Sequence, residues 1–448
     1  MKKYHIITIG CQMNKSDSER IAIRLEKVGY KRSDNKYQAD LVVVNTCGVR
    51  QTAEDRLYGL IPEIKKANPK CFVIITGCLI YRKDIKKRLD KFVDGWMMIT
   101  EITNDKFQMT NKCQMSNVKC QNDYLNIQPR YESKFSAFVP IGNGCNNFCS
   151  YCVVPYARGR EVYRSAEDIL KEVKSLVKKN YKEIILIAQN VNSYNSRIKR
   201  ELKANYRKSN IDFADLLKKV NNIQGDFWIR FLTSHPKDMS DRLIKTIASC
   251  EKVCQHIHLP VQAGDDEILK KMNRKYTVAN YVELTKKIRK GLKYKIQNTK
   301  YKLWQPLVAI TTDIIVGFPC ETKKQFNNTV KLFKQIKFDM AYISRYSPRP
   351  GTVAFKLEDN VSKEEKKNRE NKLLRILRQT ALVNNKKYIN KIVRVLIENK
   401  NKTGEWFGKT ATGKIVKIKI SNDKKELVGE FVEVKIIGVK KSCLVGNY

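Results

Sequence analysis

Gly144-Cys145-Asn146-Asn147-Phe148-Cys149-Ser150-Tyr151-Cys152 sets three cysteines at C-x3-C-x2-C spacing in one short run. Such a loop can wrap a cuboidal iron–sulfur cluster with three thiolates, whereas a fully ligated cluster takes four cysteines. The missing fourth ligand leaves one iron open to a substrate or cofactor. A zinc knuckle, a redox-active C-x2-C pair and chance are the alternatives. Zinc wants a fourth Cys or His nearby, and within thirty residues on either side only Cys120 qualifies.

The rest of the chain bounds the reading. Its 448 residues suit two to four domains, and a hydrophobic share of 42% allows real cores. No apolar run reaches the roughly eighteen residues of a membrane-spanning helix. Met1 to Gly10 is too short an apolar run for a signal peptide and reads as a strand. The expectation is a soluble cytoplasmic protein with no membrane partner. Thirteen cysteines then point to metal or redox chemistry rather than disulfides. A formal net charge of +43 makes nucleic acid the leading partner, although abundant Lys also suits a merely solvated face.

Strand and helix alternate through the first hundred or so residues, which implies a small parallel α/β sheet. Three strands, His5 to Gly10, Asp40 to Thr46 and Cys71 to Gly77, are each followed directly by a cysteine: Cys11, Cys47 and Cys78. In open parallel sheets the ligand crevice lies outside the carboxyl ends of the strands. Three thiols there can converge on one point, and Gly10, Gly48 and Gly77 beside them let backbone approach a bulky group. Three ordinary buried cysteines are the alternative. Cys71 begins its strand and reads as core. Residues from about 104 to 132 read as a polar linker in which Cys113 and Cys120 are ordinary thiols.

From Phe135 six βα-type units follow, with strands at Ala137–Ile141, Glu183–Ala188, Phe227–Leu232, His256–Val261, Ile310–Val316 and Met340–Ser347. They suggest a partial (β/α)6 barrel whose chemistry sits at the strands' carboxyl ends. Asn195–Asn210 and Tyr294–Trp304 look inserted, the second mixing Lys with aromatics as RNA contact or a surface loop would. Ser362-Lys363-Glu364-Glu365 reads as a capping box opening a helix to about Asn384. Five short strand patterns then suit a small closed OB-like barrel. Residues 386–448 carry 15 Lys/Arg against 6 Asp/Glu, as an RNA-binding barrel would. The domains so read are 1–118, 131–372 and 384–448. Of the histidines, His235, His256 and His258 read as core or rim rather than ligands.

Taken together the motifs resemble the radical S-adenosylmethionine (SAM) methylthiotransferases over essentially the whole chain. They are Gly10-Cys11-Gln12-Met13-Asn14, Asn45-Thr46-Cys47-Gly48-Val49-Arg50, Thr76-Gly77-Cys78, the run from Gly144 to Gly159, Gln189 to Tyr194, His258 to Gln262, Met272-Asn273-Arg274, Asp313 to Pro319 and Tyr346 to Thr352. The tail resembles a TRAM domain. Gly10 to Asn14 and Gln189 to Tyr194 look most like the branch acting on isopentenylated adenosine beside the tRNA anticodon. Cys320, Ala263 and Asn195 depart from the family's usual Gly, Ser and Gly.

The resemblance implies two 4Fe–4S clusters and SAM. Cys145, Cys149 and Cys152 would hold the cluster that cleaves SAM to a radical able to take hydrogen from carbon 2 of adenine. Cys11, Cys47 and Cys78 would hold a second cluster, which carries the sulfur. Asn190, Ser234, Gln262 and Asp313, at strand ends, would line the SAM pocket. A flavodoxin- or ferredoxin-type electron donor and a monomeric state are expected. Competing readings are methylthiolation of threonylcarbamoyladenosine or of a ribosomal-protein aspartate, and, in another class, a non-catalytic iron–sulfur RNA-binding redox sensor.

Overall fold

Apolar runs of the first hundred or so residues form one parallel sheet in the computed structural model, which describes residues 1–48, 51–103, 123–197, 210–293, 308–419, 426–440 and 442–448. Its strands are β1 (Lys3–Thr8), β2 (Lys31–Arg32), β3 (Leu41–Thr46), β4 (Phe72–Gly77) and β5 (Gly95–Trp96), in the order β2-β1-β3-β4-β5. Leu41-Val42-Val43-Val44-Asn45-Thr46 is buried throughout, as a strand covered on both faces must be. Helices α1 (Gln12–Lys27), α2 (Gln51–Ala67), α3 (Lys83–Leu89) and α4 (Ile99–Ile102) complete this unit. Helix α1 starts directly after Cys11, which holds its N-cap position. Cys113 and Cys120 lie outside the described residues.

The central unit opens with β6 (Ser136–Pro140), followed by a short hairpin of β7 (Gly142–Asn143) and β8 (Val162–Tyr163). Helix α5 (Val154–Arg158) lies between these two strands. After them come α6 (Ala166–Lys178), β9 (Glu183–Ile187), the antiparallel pair β10 (Asn195–Arg197) and β11 (Asn210–Asp212), and α7 (Phe213–Asn221). The unit continues through β12 (Trp228–Leu232), α8 (Asp241–Ser249), β13 (His256–His258), α9 (Asp266–Lys271) and α10 (Val278–Lys293). It ends with β14 (Ala309–Val316), α11 (Lys323–Ile336) and β15 (Met340–Arg345).

Strands β6, β9 and β12 pair in parallel, as do β13, β14 and β15. The two sets meet where Ile229 N–H donates to Lys252 O and Cys254 N–H donates to Ile229 O, both at 2.8 Å. Six strands therefore follow one another in chain order around an open barrel. Ser165, Asp212, Ser240, Asp265 and Thr322 cap α6, α7, α8, α9 and α11 by accepting the backbone N–H three residues on.

Several sequence expectations are corrected. Helices α5 and α9 were unforeseen because each is short. Strand β13 stops at His258, because Pro260 has no N–H to give the ladder. Asp313 lies inside β14 rather than at its end. The central part of the Asn195–Asn210 insertion and all of Tyr294–Trp304 lie outside the described residues.

Helix α12 (Lys363–Lys386) leads into the last unit. Ser362 caps it through Glu365 N–H at 3.1 Å, but Glu365 turns to Arg369 at 2.8 Å, so the reciprocal half of the capping box is absent. Strands β16 (Ile392–Lys400), β17 (Trp406–Thr410), β18 (Ile415–Lys419), β19 (Phe431–Val439) and β20 (Leu444–Asn447) close a barrel in the order β16-β17-β18-β20-β19. It docks on the central unit through Arg230, whose guanidinium donates to Thr410 O at 2.8 Å and Ala411 O at 3.0 Å, and through Lys414–Asp339 at 2.8 Å. Among the described residues no helix is long and apolar enough to cross a membrane.

Candidate active site

Hairpin β7–β8 is the neck of the Cys145–Cys152 loop, with Cys145 N–H donating to Gly159 O at 3.1 Å across it. The neck is so tight that a side chain at Gly144 (φ +81°) would bring its Cβ to 2.1 Å from Arg160 O. Ser150 is held on three sides. Its N–H donates to Met272 O at 3.1 Å, its Oγ donates to Lys271 O at 2.7 Å, and its carbonyl accepts Ala354 N–H at 2.7 Å. The sulfurs face donors: Arg274 Nη1 to Cys149 Sγ at 3.4 Å and Asn147 Nδ2 to Cys145 Sγ at 3.5 Å.

Cys11, Cys47 and Cys78 follow β1, β3 and β4, which are adjacent in the sheet. A Cβ on Gly10 would stand 2.9 Å from Cys47 Cβ, and one on Gly48 would stand 3.1 Å from Cys78 Cβ. The three loops therefore converge, with glycine at the crossings. Cys11 occupies the N-cap position of the 16-residue helix α1. Its thiol donates to Asn14 Oδ1 at 3.1 Å. Cys71 is fully buried at the other end of β4, and burial pushes its thiol up to about 11, as suits a core residue.

The two trios face each other. A Cβ on Gly48 would also lie 2.9 Å from Val153 Cγ2, so the residue after Cys47 touches the residue after Cys152. Among the described residues no three His, Cys, Asp or Glu side chains could share a single metal ion. One ion would hold each thiolate sulfur at about 2.3 Å. A cluster several atoms across takes its thiolates farther apart than one ion does, and three thiolates in each trio suit a cluster that keeps one iron open. Burial pushes the Cys145 and Cys152 thiols up. Cluster iron, which takes them as thiolates, would supply the compensating charge.

The SAM-pocket candidates divide. Gln262 and Asp313 line a cavity of about 1110 Å³ that also touches Gln12, Gly48, Cys152, His258, Arg349 and Lys414, and so all three units. Gln262 takes a left-handed φ of +74° and bonds β14 on both sides, its N–H to Asp313 O at 2.9 Å and its carbonyl from Ile315 N–H at 3.0 Å. Asp313 Oδ2 lies 3.4 Å from His258 Nε2. Asn190 and Ser234 do not line this cavity. They follow β9 and β12 in loops tied by Val191 N–H to Thr233 O at 3.0 Å. Asn190 Nδ2 is taken by Asp238 at 2.7 Å, which leaves Asn190 Oδ1, Ser234 Oγ and Gln189 Oε1 buried without partners. Orphaned polar atoms at neighbouring strand ends fit a polar ligand such as SAM.

Histidines behave as rim and core. Burial, with Arg274 and Lys237 nearby, lowers His235 to about 2, and burial lowers His256 to about 3. His256 Nε2 and His258 Nδ1 share Thr311 Oγ1 at 2.9 and 3.0 Å. Sequence reasoning assigned no role to Arg158, Arg274 or Arg349, although each lies inside a quoted motif. For Arg158, its place in the cysteine run from Gly144 to Gly159 was the available signal.

Comparison with known proteins agrees with the three units. Residues 139–333 match the radical SAM superfamily, residues 3–118 match the uncharacterized protein family UPF0004, and residues 386–447 match the TRAM domain. The tRNA-2-methylthio-N(6)-dimethylallyladenosine synthase of Clostridium botulinum (strain Langeland) is 41% identical over 459 residues, covering 99% of this chain and 96% of that protein. The synthase of the same name from Clostridium novyi is 42% identical over 466 residues, covering 100% and 96%. A radical SAM methyltransferase from Kitasatospora setae, TsrM, shares the fold with a TM-score of 0.54 at 13% identity, over 79% of this chain and 74% of that one. A radical SAM profile, the C-terminal barrel at the TRAM match and full-length likeness at this identity make the chain a member of the radical SAM methylthiotransferase family, in the group of the tRNA-2-methylthio-N(6)-dimethylallyladenosine synthases.

Proposed function

We propose that this protein methylthiolates carbon 2 of isopentenyladenosine next to the tRNA anticodon, giving 2-methylthio-N6-isopentenyladenosine. What carries the reading is the facing pair of cysteine trios, each one ligand short, beside a cavity that reaches the C-terminal barrel. Cys145, Cys149 and Cys152 would hold one 4Fe–4S cluster, and Cys11, Cys47 and Cys78 a second. Bound there, the first cluster with SAM would supply radical chemistry for removing hydrogen from the base, and the second would supply sulfur.

The chain's own residues position and shield. Arg274 orients Cys149 and places a fixed cation beside it. Asn190, Ser234, Gln262 and Asp313 would hold SAM, the first two through oxygens that otherwise lack partners. The covering N-terminal unit keeps water from the reactive species. Basic residues of the C-terminal barrel would track the tRNA backbone. We read the units as 1–118, 131–372 and 384–448, the protein as a cytoplasmic monomer, and its electron source as a small flavodoxin- or ferredoxin-type protein.

Anaerobic incubation with SAM and dithionite should release 5′-deoxyadenosine, and a pure redox-sensing binder would release none. Mass spectrometry of tRNA nucleosides from a deletion strain should show 2-methylthio-N6-isopentenyladenosine lost. If it persists while the threonylcarbamoyl derivative or the ribosomal-protein modification disappears, the substrate is the other one.

A further inference from the structure

We propose that Arg158 and Arg349 are positioning residues, two latches that hold the N-terminal sheet over the barrel so that the cysteine trios keep a fixed register. Arg158 ends α5, six residues beyond Cys152. Its guanidinium donates to Asp17 Oδ2 at 2.7 Å and to Asn143 Oδ1 at 3.2 Å. The two charged side chains are 5% and 1% exposed. Asp17 lies on α1, six residues after Cys11.

Arg349 repeats the arrangement on the other trio arm. It sits between Pro348 and Pro350, whose rings fix the backbone. It donates to Glu54 Oε2 at 2.9 Å and to Gln51 Oε1 at 3.0 Å. Glu54 lies on α2, seven residues after Cys47, and also takes Arg82 of its own unit at 3.2 Å. Arg349 is coupled to the cysteine loop in turn, because Thr352 N–H donates to its carbonyl and Ala354 N–H donates to Ser150 O.

Each acid therefore lies on a helix that begins within a few residues of an N-terminal cysteine, and each arginine is tied to the barrel loop. Buried ion pairs add little net stability over apolar packing, but their geometry is demanding, which suits a register device. Another interunit pair, Arg20–Glu172, is longer at 3.8 Å and reaches α6 rather than the cysteine loop.

Hydrogen exchange on the purified chain without added iron tests the latches alone. Arg158→Met should speed exchange across residues 12–27 at least tenfold, and Arg349→Met across residues 51–67. Arg158→Lys and Arg349→Lys should return most of the protection. Exchange unchanged from wild type in both Met variants would overturn the proposal.

The catalytic arm rests on the function proposed above. In reconstituted protein with wild-type iron and sulfide, Arg158→Met should still release 5′-deoxyadenosine, while methylthiolated product per 5′-deoxyadenosine falls at least tenfold. An unchanged ratio, or lost iron, would also overturn it. Should a Met variant fail to fold, Asp17→Asn, which keeps a hydrogen-bond acceptor but removes the charge, is read by the same two measurements. Wild-type protein that makes no methylthiolated product would refute the functional reading instead, leaving the exchange arm to decide the latches.

Discussion

Cys145, Cys149 and Cys152 come from a single loop, whereas Cys11, Cys47 and Cys78 come from the ends of three neighbouring strands. The first trio is made by local backbone: a two-strand neck, a glycine that clears Arg160 O, and Ser150 pinned from three sides. The second trio exists only when β1, β3 and β4 pair in register, with Thr8 opposite Asn45 and Thr46 opposite Gly77. A local site fails one residue at a time, and a distributed site fails with its sheet. The largest expected effect separates the two by chemistry. Cys149→Ala should abolish 5′-deoxyadenosine release. Cys47→Ala should leave that release intact and stop methylthiolation, as liquid chromatography of both products would show. Methylthiolated product from Cys47→Ala would break the division of labour between the trios.

Glycine substitutions probe how each trio is built. Gly144→Ala puts a methyl group against Arg160 O, and Gly77→Ala (φ +90°) would place one 2.3 Å from Thr46 O. Backbone strain of this kind costs about 1–3 kcal/mol before any clash is relieved. In Gly144→Ala the damage should stay in the loop, so iron at the first trio is lost while the urea midpoint of the N-terminal sheet holds. Gly77→Ala should lower that midpoint together with iron at the second trio. Equal effects of the two variants on the sheet would mean that the first trio is not local.

This contrast also explains what the sequence could and could not disclose. C-x3-C-x2-C is legible because its ligands are neighbours in the chain. Cys11, Cys47 and Cys78 became legible through repetition, each directly after a strand, since parallel neighbours bring their carboxyl ends together. Barrel strands such as Glu183–Ile187 and Trp228–Leu232 followed from apolar runs recurring at βα spacing. The ion pair between Asp17 and Arg158 left no such trace, because its partners are 141 residues apart and nothing in spacing reports a contact between units. Nor does local pattern foretell that Asn190 Oδ1 and Ser234 Oγ are buried without partners while Gln262 and Asp313 line the cavity.

Titration offers a smaller test, with opposite signs in the two regions. His235 sits in the barrel, and burial lowers it to about 2. An unfolded histidine takes a proton below roughly pH 6.5, so this group makes stability fall as pH drops from there toward 2. Glu19 sits on α1, and burial raises it to about 7. Folded protein then holds a proton that the unfolded chain releases above its ordinary value, so this group makes stability fall as pH rises from about 4.5 toward 7. Between pH 7 and 5.5 each should contribute at most about 2 kcal/mol, in opposite directions. His235→Asn should flatten the acid loss, and Glu19→Gln should raise stability at pH 7 relative to pH 5.5. Urea midpoints at the two pH values check both.

Cys320 gives the smallest effect and belongs to neither trio. It follows Pro319 in the left-handed region, at φ +63°, where a side chain is strained by roughly 1–2 kcal/mol. Its N–H donates to Asn360 Oδ1 at 3.0 Å, a bond that any residue but proline can make there. The sulfur meets Glu358 O at a weak 3.9 Å. Glycine would remove the strain and keep the N–H, but it adds conformational freedom to the unfolded chain, costing about 0.5–1 kcal/mol. Cys320→Gly should therefore stabilise the protein by about 0.5–1 kcal/mol. Iron bound at both trios should not change. A urea midpoint that falls, or iron content that drops, would show that the sulfur has a task the backbone does not explain.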